Sequence, residues 1–393
     1  MNIVKLKKNE ERRLLSGHLW IYSNEINTAE TPLKSFQAGE QVKVMTHGGT
    51  VIGSAYINPQ SLIAARLYSR DVTALNEALL VQQIRQAMSL RERLFSEPCY
   101  RLVFGEGDYL PGLVIDRFAE HLVVQITTAG MEQVKADLVT ALTTVLKPQS
   151  ILWRNDSASR KMENLPSYVE AAFGTPPETV TLSENGAHFI APLWQGQKTG
   201  WFYDHRINRA RMQDYVEGKT VLDVFSYLGG WGITAAQYGA SSVTCIDASQ
   251  TACDLTRKNA ELNHCQDKVK VLCDDAFEAL KKLIQAGQSY DVVIVDPPAF
   301  IKKAKDAKEG FLAYRRINEL ALKLTRPGGI LSTSSCSMHL KDEDLQNAVL
   351  RAANALRCPL QILEWGHQGP DHPVHPAITE TRYIKTLIAR KLN

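Results

Sequence analysis

The chain has 393 residues, of which 44% are hydrophobic and 22% are charged. This composition excludes a disordered chain and a collagen-like repeat. The 45 Lys and Arg residues against 42 Asp and Glu residues leave a net charge of only +3, so the overall charge favours no class of partner. Charged residues occupy the N-terminal segment where a signal peptide needs an apolar core, and the apolar stretches are too short to span a bilayer. We therefore expect a cytoplasmic protein with no membrane contact.

The N-terminal module, residues 1–72, is predicted to be rich in β-strand. Two β-branched runs flank Gly48-Gly49, which is a hairpin signal, and the pattern as a whole favours a small β-barrel. Residues 1–20 carry five basic and two acidic residues. Trp20 and Tyr22 are candidates for stacking on a nucleic-acid base, with core packing as the alternative role for at least one of them.

Residues 73–180 are predicted to form a middle α/β module. The segment 71–95 has helical periodicity, and strand-like runs follow, with a helix near 131–145 between them. The Pro-rich stretch 175–178 marks the end of this module. We expect the third module to begin at about residue 181.

In the third module, residues 181–393, short apolar strands alternate regularly with helices. The predicted strands are 219–227, 241–249, 268–276, 289–298 and 328–337. This alternation indicates a doubly wound, Rossmann-like parallel sheet, and the protein is assigned to the α/β class. In such sheets, ligands bind beyond the carboxyl ends of the strands.

Glycines and acids follow the first three of these strands. The loop after Asp223 is rich in glycine but lacks the G-x-G-x-x-G spacing of a dinucleotide fold. Asp247 ends the second strand, where a carboxylate can accept hydrogen bonds from ribose hydroxyls or cap the next helix. Asp274 and Asp275 end the third strand, where either can accept from an adenine amino group or act as a cap. Three acids at successive strand ends point to a ligand that carries a nucleoside.

The fourth and fifth strands carry the residues that suggest a reaction. Asp296 is followed by Pro297-Pro298, which stiffen the loop and hold the carboxylate at the sheet edge. Cys336 lies in a small polar turn after the fifth strand and is predicted to be accessible. Because these strands are expected to be neighbours, the two side chains are predicted to face one pocket.

The remaining cysteines and histidines suggest no metal. An odd number of cysteines without a C-x-x-C pair indicates reduced thiols rather than disulfides or a zinc ribbon. Cys245 and Cys273 lie within apolar strand patterns and are predicted to fill the core. His367, His372 and His375 lack metal-ligand spacing and are predicted to belong to a structured loop.

The chain resembles the class I S-adenosylmethionine-dependent methyltransferases. More closely, it resembles the bacterial large-subunit ribosomal RNA cytosine-C5 methyltransferases that carry an N-terminal PUA domain. The motifs that carry the resemblance are Gly17-His18-x-Trp20, the segment 101–118, Gly196 to Arg206, Asp296-Pro-Pro and Ser335-Cys336-Ser337. Their order and spacing cover nearly the whole chain.

The resemblance implies S-adenosylmethionine as cofactor and ribosomal RNA as partner. It implies these cofactor contacts: Lys198 and Thr199 at its border, Phe225, Ser226, Tyr227 and Gly229 at its methionine part, Asp247 at its ribose, Asp275 (with Asp274 as the neighbouring candidate) at its adenine, and Asp296 near the methyl group. It also implies that Cys336 attacks carbon 6 of cytosine while Asp296 holds the N3 edge. The family often has Lys where this chain has Ala299, which leaves the other base contacts open.

Two other functions stay open on the sequence. One is a nucleic-acid methyltransferase that acts on an exocyclic amine. Methyltransferases of that class have an aromatic residue directly after Asp-Pro-Pro, whereas Phe300 of this chain lies one residue later. The other is a non-catalytic RNA-binding or ribosome-assembly protein. Residues 301–316 carry six basic and two acidic residues, a net charge of +4 that suits a polyanion or a solvated surface. The modified nucleotide, the use of naked RNA or an assembled particle, and the oligomeric state, a homodimer included, are left open.

Overall fold

The computed structural model describes residues 1–392, which separate into two compact units. The first unit comprises Met1–Val180, Pro192–Tyr203 and Pro370–Thr381. The second comprises Thr181–Ala191, Asp204–Gly369 and the described residues from Arg382 onward. Both units are therefore built from segments that are distant in the chain.

The first unit contains two five-stranded sheets. Its strands are β1 (Asn2–Lys5), β2 (Trp20–Tyr22), β3 (Glu40–Met45), β4 (Val51–Ile57), β5 (Ile63–Ser69), β6 (Cys99–Phe104), β7 (Leu113–Phe118), β8 (His121–Ile126), β9 (Ser150–Asn155) and β10 (Tyr168–Gly174). Its α-helices are α1 (Glu11–Leu15), α2 (Glu77–Leu94), α3 (Ala129–Gln133) and α4 (Lys135–Leu146). The strand orders are β1-β3-β4-β5-β2 and β10-β9-β8-β7-β6.

The predicted elements of the first unit are present with shifted ends. The hairpin at Gly48-Gly49 joins β3 to β4. The helix predicted over 71–95 begins only at Glu77, because the side chain of Asn76 accepts from the backbone N–H of Leu79 and caps it. The single helix predicted near 131–145 is two helices, α3 and α4, which meet at Val134.

The rest of the chain forms a hairpin and a seven-stranded sheet. The strands are β11 (Thr179–Glu184), β12 (Ala187–Pro192), β13 (Thr220–Val224), β14 (Ser242–Asp247), β15 (Val269–Cys273), β16 (Tyr290–Val295), β17 (Thr325–Ser335), β18 (Leu360–Gly366) and β19 (Lys385–Lys391). The helices are α5 (Arg206–Arg211), α6 (Gly230–Gln237), α7 (Gln250–Leu262), α8 (Ala276–Gln285), α9 (Ala307–Leu324) and α10 (Asp342–Leu356). Strands β11 and β12 form the hairpin.

The order of the large sheet is β15-β14-β13-β16-β17-β19-β18. Strands β13 to β17 are mutually parallel, as the alternation of strands and helices predicted. The strand β19 was not predicted, and it runs antiparallel between β17 and β18. Leu222 and Val224 of β13 and Val293 and Val295 of β16 pack in one cluster with α8, α9 and α10. The residues that alternate with them, Val221, Val292 and Ile294, are buried as well, which accounts for the nearly continuous hydrophobic character of both strands.

The prediction for Cys273 was wrong, because this residue is exposed. It ends β15, which is the edge strand of the sheet and has a neighbouring strand on one side only. Cys245, on the inner strand β14, is fully buried as predicted. No disulfide joins the cysteines of residues 1–392, and no cluster of three potential metal ligands occurs there. Within the same residues, no helix has both the length and the apolar character required to cross a bilayer.

Candidate active site

The carboxyl ends of β13, β14, β16 and β17 bring the predicted site residues of the second unit to one edge of the sheet. In the parallel register, Val224 of β13 pairs with Val295 of β16, so the loop after Val224 lies beside Asp296. In the same way, Val295 of β16 pairs with Thr333 of β17. Asp296 directly follows Val295, and Cys336 comes three residues after Thr333. The fold therefore places the glycine loop, the carboxylate and the thiol after three adjacent strands. The sequence predicted this adjacency for the strands that precede Asp296 and Cys336, and that the two side chains face one pocket stays a prediction.

The loop after β13 has a conformation that suits a closely approaching ligand. Phe225, Tyr227 and Gly229 have φ angles of 66°, 50° and 80°, in the left-handed region that costs energy for residues other than glycine. A Cβ atom on Gly229 would lie 2.8 Å from a methyl group of Ile233, so glycine is required there for packing as well. The strained turn leads directly into the N-terminus of α6.

Ser226 shows that this loop fits the cofactor. The residue is only 3% exposed, and its hydroxyl has no hydrogen-bond partner among residues 1–392. A buried hydroxyl without a partner is costly unless a ligand completes it. The donor and acceptor that it offers fit the amino and carboxylate groups of the methionine part, which the family resemblance implies at this position, and the contact itself stays a prediction.

The carboxylate of Asp247 connects two loops. Its Oδ2 accepts from the backbone N–H of Tyr227 at 2.8 Å, and its Oδ1 accepts from the N–H of Ser249 at 2.9 Å. A carboxylate has about four acceptor sites, so both oxygens keep the capacity to accept ribose hydroxyls. Its contact with the ribose stays a prediction.

The acids after β15 have structural partners. Asp275 caps α8, since its Oδ1 accepts from the N–H of Glu278 at 3.1 Å. Asp274 forms a surface ion pair of 2.6 Å with Lys282, which lowers the pKa of this exposed carboxyl group. Capping is the alternative that the sequence left open, and contact of either residue with adenine remains a prediction.

Asp223 is the fully buried acid at the end of β13. Its Oδ2 accepts from the N–H of Gly232 at 2.8 Å, whereas Oδ1 has no partner among the described residues. Burial, together with the nearby charges of Asp296 and Asp247, raises the pKa of Asp223 to about 7, although the hydrogen bond from the Gly232 N–H lowers it.

Asp296 is held by two aromatic side chains. The indole N–H of Trp231 donates to Oδ2 at 3.0 Å, and Nε2 of His205 lies 3.2 Å from Oδ1. The amide nitrogen of Asn208 lies 3.2 Å from Nδ1 of His205 and donates to the carbonyl of His367 at 3.0 Å. Because that nitrogen is a donor, Nδ1 accepts, and Nε2 carries the hydrogen directed at Asp296.

This arrangement keeps Asp296 ionised. Burial raises its pKa, but the neighbouring His205 and the hydrogen bonds from His205 and Trp231 outweigh burial, so that the pKa is lowered overall. The side chain retains 20% exposure and so remains reachable from solvent. The sequence had allowed a protonated Asp296, and the structure favours the carboxylate.

The turn that carries Cys336 is fixed by hydroxyl groups. The Ser335 hydroxyl donates to the Tyr314 hydroxyl at 2.8 Å, and the Tyr314 hydroxyl lies 2.9 Å from the Ser337 hydroxyl. The Ser337 hydroxyl in turn accepts from the N–H of Ile301 at 3.3 Å. Ser335 and Ser337 are buried, whereas Cys336 between them is partly exposed, as predicted for a reactive thiol.

Lys198 and Thr199 lie in the first unit. Thr199 is fully buried, and its hydroxyl donates to Asp116, which also forms a bidentate pair with Arg101. The Lys198 ammonium group lies 4.3 Å from the centre of the Phe202 ring. The contact of Lys198 and Thr199 with the cofactor remains a prediction.

Sequence reasoning missed three residues of this site, His205, Trp231 and Tyr314. His205 lies in the block from Gly196 to Arg206 that carries the family resemblance, and Trp231 lies between Gly230 and Gly232. Their place in these two motifs was the available signal, although neither motif relates them to Asp296. Tyr314 lies on a helix, where nothing in the sequence relates it to a turn that follows it by some twenty residues.

Comparison with known proteins agrees with this geometry. A family described as S-adenosylmethionine-dependent methyltransferase matches residues 154–385, and a PUA-like domain family matches residues 4–70. The fold of a methyltransferase solved as a complex with S-adenosylhomocysteine matches with a TM-score of 0.85 at 20% identity, covering 99% of this chain and 100% of that one. An S-adenosylmethionine-dependent methyltransferase from Streptococcus mutans matches with a TM-score of 0.83 at 21% identity, with the same coverage.

Curated relatives are more similar in sequence. Ribosomal RNA large subunit methyltransferase I from Salmonella typhi is 34% identical over 391 residues, which is 98% of this chain and 96% of the relative. The same protein from Salmonella newport has the same identity and coverage. The cofactor of the chain is S-adenosylmethionine, in keeping with the matched family and with the loop that contains Ser226. The chain therefore belongs to the S-adenosylmethionine-dependent methyltransferase family that these relatives represent.

Proposed function

We propose that this protein transfers a methyl group from S-adenosylmethionine to carbon 5 of a cytosine in large-subunit ribosomal RNA, through a covalent adduct between Cys336 and carbon 6. The name of the curated relatives supports the RNA substrate, as does the match to a PUA-like domain. The observation that carries the choice of carbon 5 is the position of Cys336, partly exposed after β17, beside the strand that ends in Asp296.

The chemistry requires both side chains, because carbon 5 of cytosine is a poor nucleophile. The Cys336 thiolate forms a bond to carbon 6 while N3 takes a proton from water, and electron density moves to carbon 5. The ionised Asp296 holds the amino and N3 edge of the base and stabilises the positive charge that N3 acquires. S-Adenosylmethionine supplies a methyl group on a sulfonium, which carbon 5 receives. A base, for which water suffices, then removes the proton of carbon 5, the bond to sulfur breaks to restore the Cys336 thiolate, and N3 returns its proton to water. The products are 5-methylcytosine and S-adenosylhomocysteine.

The loop after Asp296-Pro-Pro supports an RNA substrate. Lys302, Lys303, Lys305 and Lys308 are all exposed and form no ion pair within residues 1–392. Such lysines attract phosphate groups, and these contacts offset the cost of about a few kcal/mol for moving a cytosine out of its stack. The proposed domains are an RNA-binding domain of residues 1–72, a middle domain of residues 73–180 and a catalytic domain of residues 181–393. We propose the cytoplasm as the compartment, since bacterial ribosomal RNA is found there.

Several N-terminal side chains that are candidates for RNA contact already bind other residues of the protein. The indole N–H of Trp20 donates to Glu106 at 2.8 Å, and the Tyr22 ring lies 4.7 Å beneath the Arg13 guanidinium group. Lys5 and Arg13 form ion pairs with acidic residues of the same unit. The lysines at 302–308 are therefore the stronger candidates for phosphate contacts.

The test uses the full chain and unmodified large-subunit ribosomal RNA with labelled S-adenosylmethionine. We expect Cys336→Ala and Cys336→Ser to bind S-adenosylhomocysteine as the unaltered protein does and to lose more than about a thousandfold in turnover. Cys273→Ser is the matched control, because Cys273 is also a thiol at the carboxyl end of a strand of the same sheet and is exposed. Its turnover is expected to be unchanged. Substantial turnover by Cys336→Ala would exclude the covalent mechanism.

The atom modified is tested separately. RNA that contains 5-fluorocytosine should trap a protein–RNA adduct through Cys336, because fluorine cannot leave as the proton does. Methyl transfer without an adduct, mapped to an exocyclic amine, would favour an amine methyltransferase. Absence of calorimetric binding of S-adenosylhomocysteine would favour a non-catalytic RNA-binding protein.

A further inference from the structure

Lys385 lies directly beside the turn that carries Cys336. It is the first residue of β19, and its backbone pairs with Ser335 of β17, the residue that precedes the cysteine. Its Nζ donates to the carbonyl of Ser337 at 2.7 Å and to the carbonyl of Tyr383 at 2.9 Å. Lys385 therefore binds the chain on both sides of Cys336, by its backbone on one side and by its side chain on the other.

Lysine is an unusual residue for this position, because only 5% of it is exposed. Lysine is almost never buried without a partner of opposite charge, since the ammonium group loses its hydration. The two carbonyl groups satisfy two of its three hydrogens, and the third has no acceptor among residues 1–392. The hydrogen bonds thus account for part of the cost of burial but supply no negative charge.

The charges that face Lys385 leave one candidate for its counterion. The pKa of Lys385 is lowered overall, because burial and the charge of Arg382 lower it and outweigh Asp342 and Cys336, which raise it. Asp342 is already paired with Arg382, with nitrogen–oxygen distances of 3.0 and 3.1 Å. Tyr314 also faces the thiol, but burial raises the pKa of its phenol, so it stays neutral. The remaining anion that can form beside the ammonium group is the Cys336 thiolate.

We propose that Lys385 is the positioning residue of the nucleophile: its ammonium group fixes the Ser335–Ser337 turn and stabilises the Cys336 thiolate. This proposal rests on the proposed role of Cys336 and goes beyond it. The thiol loses its proton to solvent, and Lys385 stays protonated throughout. When sulfur bonds to carbon 6, the negative charge leaves the sulfur, so the ammonium group favours formation of the thiolate without taking part in bond formation.

The first experiment needs no substitution in the active site. The rate of alkylation of each cysteine by iodoacetamide is measured against pH in the unaltered protein and resolved by peptide mass spectrometry. Cys273 is the internal reference, because it is an exposed thiol without a buried lysine beside it. We expect Cys336 to titrate about one pH unit below Cys273. Titration of Cys336 at or above the pH of Cys273 would overturn the proposal.

The second experiment removes the charge. Lys385→Met keeps the length and the apolar stem, and we expect the alkylation profile of Cys336 to move up by about one pH unit, with about tenfold slower alkylation and methyl transfer near pH 7. Turnover should recover as the pH is raised. Lys385→Arg keeps the charge and should restore most of the low-pH reactivity of the thiol.

Lys391→Met is the matched control for the purely structural effect. Lys391 lies on the same strand, and its Nζ also donates to two carbonyls, those of Leu322 and Thr325, at 2.9 and 2.8 Å. We expect this variant to leave the Cys336 profile unchanged. If Lys385→Met folds and leaves the profile unchanged, or if Lys391→Met shifts it equally, the proposal fails while the role of Cys336 stands. If Cys336→Ala is active, the proposed function itself fails, and the alkylation profiles still report on Lys385.

Discussion

Asp223 makes the stability of this protein dependent on pH, and the Asp223→Asn substitution isolates the effect. An ordinary aspartate has a pKa of 3.8, and in the folded protein burial raises the pKa of Asp223 to about 7. Between these values, the folded state binds a proton that the unfolded state releases, so the free energy of unfolding falls as pH rises. A difference of about three pH units corresponds to about 4 kcal/mol over the whole window.

Asparagine has nearly the shape of a protonated aspartate and keeps an oxygen for the N–H of Gly232. We therefore expect Asp223→Asn to lose this dependence on pH. Between about pH 5 and about pH 7.5, the unfolding free energy of the unaltered protein should fall relative to that of the variant by about 2 to 3 kcal/mol. Urea unfolding of both proteins at several pH values measures this difference.

Asp291→Asn is the control of opposite sign. Burial raises the pKa of Asp291, but hydrogen bonds from Thr220 and the ion pair with Arg326 lower it overall. The contribution of Asp291 to stability is thus present above its ordinary pKa and is lost only in acid. The difference in unfolding free energy between Asp291→Asn and the unaltered protein should therefore be constant between about pH 5 and about pH 7.5. A stability difference between Asp223→Asn and the unaltered protein that is constant with pH would refute the reasoning for Asp223.

Two further substitutions test the contacts of buried charges. Trp231→Phe removes the N–H that donates to Asp296 at 3.0 Å, which should raise the pKa of Asp296. The acidic limb of the turnover–pH profile should therefore move up by about one pH unit, and an unmoved limb would contradict the role of this bond. Arg101→Lys replaces the two parallel 2.7 Å bonds to the buried Asp116 by a point charge and should lower the unfolding free energy by about 2 kcal/mol. In the same urea experiment, Arg382→Lys, at an exposed ion pair, should change it by less than about 0.5 kcal/mol; equal losses would contradict the argument from burial.

The parallel part of the large sheet could be predicted from the sequence because its signal is local. Val292 to Val295 form a continuous apolar run that favours a strand buried on both faces, and the run ends directly before Asp296. The signal for the strand before Cys336 is weaker, because only Ile330 and Leu331 are apolar ahead of the polar residues Ser332 to Ser335. Periodicity in one strand says nothing, however, about which strand lies beside it.

The missed features depend on pairing between distant segments. Cys273 has the pattern of a core residue, and only the place of β15 at the sheet edge exposes it. Lys385 has the identity of a surface residue, and only the insertion of β19 beside β17 buries it. The partners of Asp296 are equally remote, since His205 precedes the whole sheet and Trp231 lies in α6, which follows a different strand.

The insertion of β19 between β17 and β18 also has a consequence for synthesis on the ribosome. Until residues 385–391 have emerged, β17 lacks its outer neighbour and β18 has no strand to pair with. A nascent chain halted before that point exposes an unpaired strand edge, the kind of surface that chaperones cover and aggregates extend. Translation of this one segment closes the sheet and delivers Lys385 to the cysteine together, so a chain truncated upstream of it is both prone to aggregate and without its thiolate-stabilising charge.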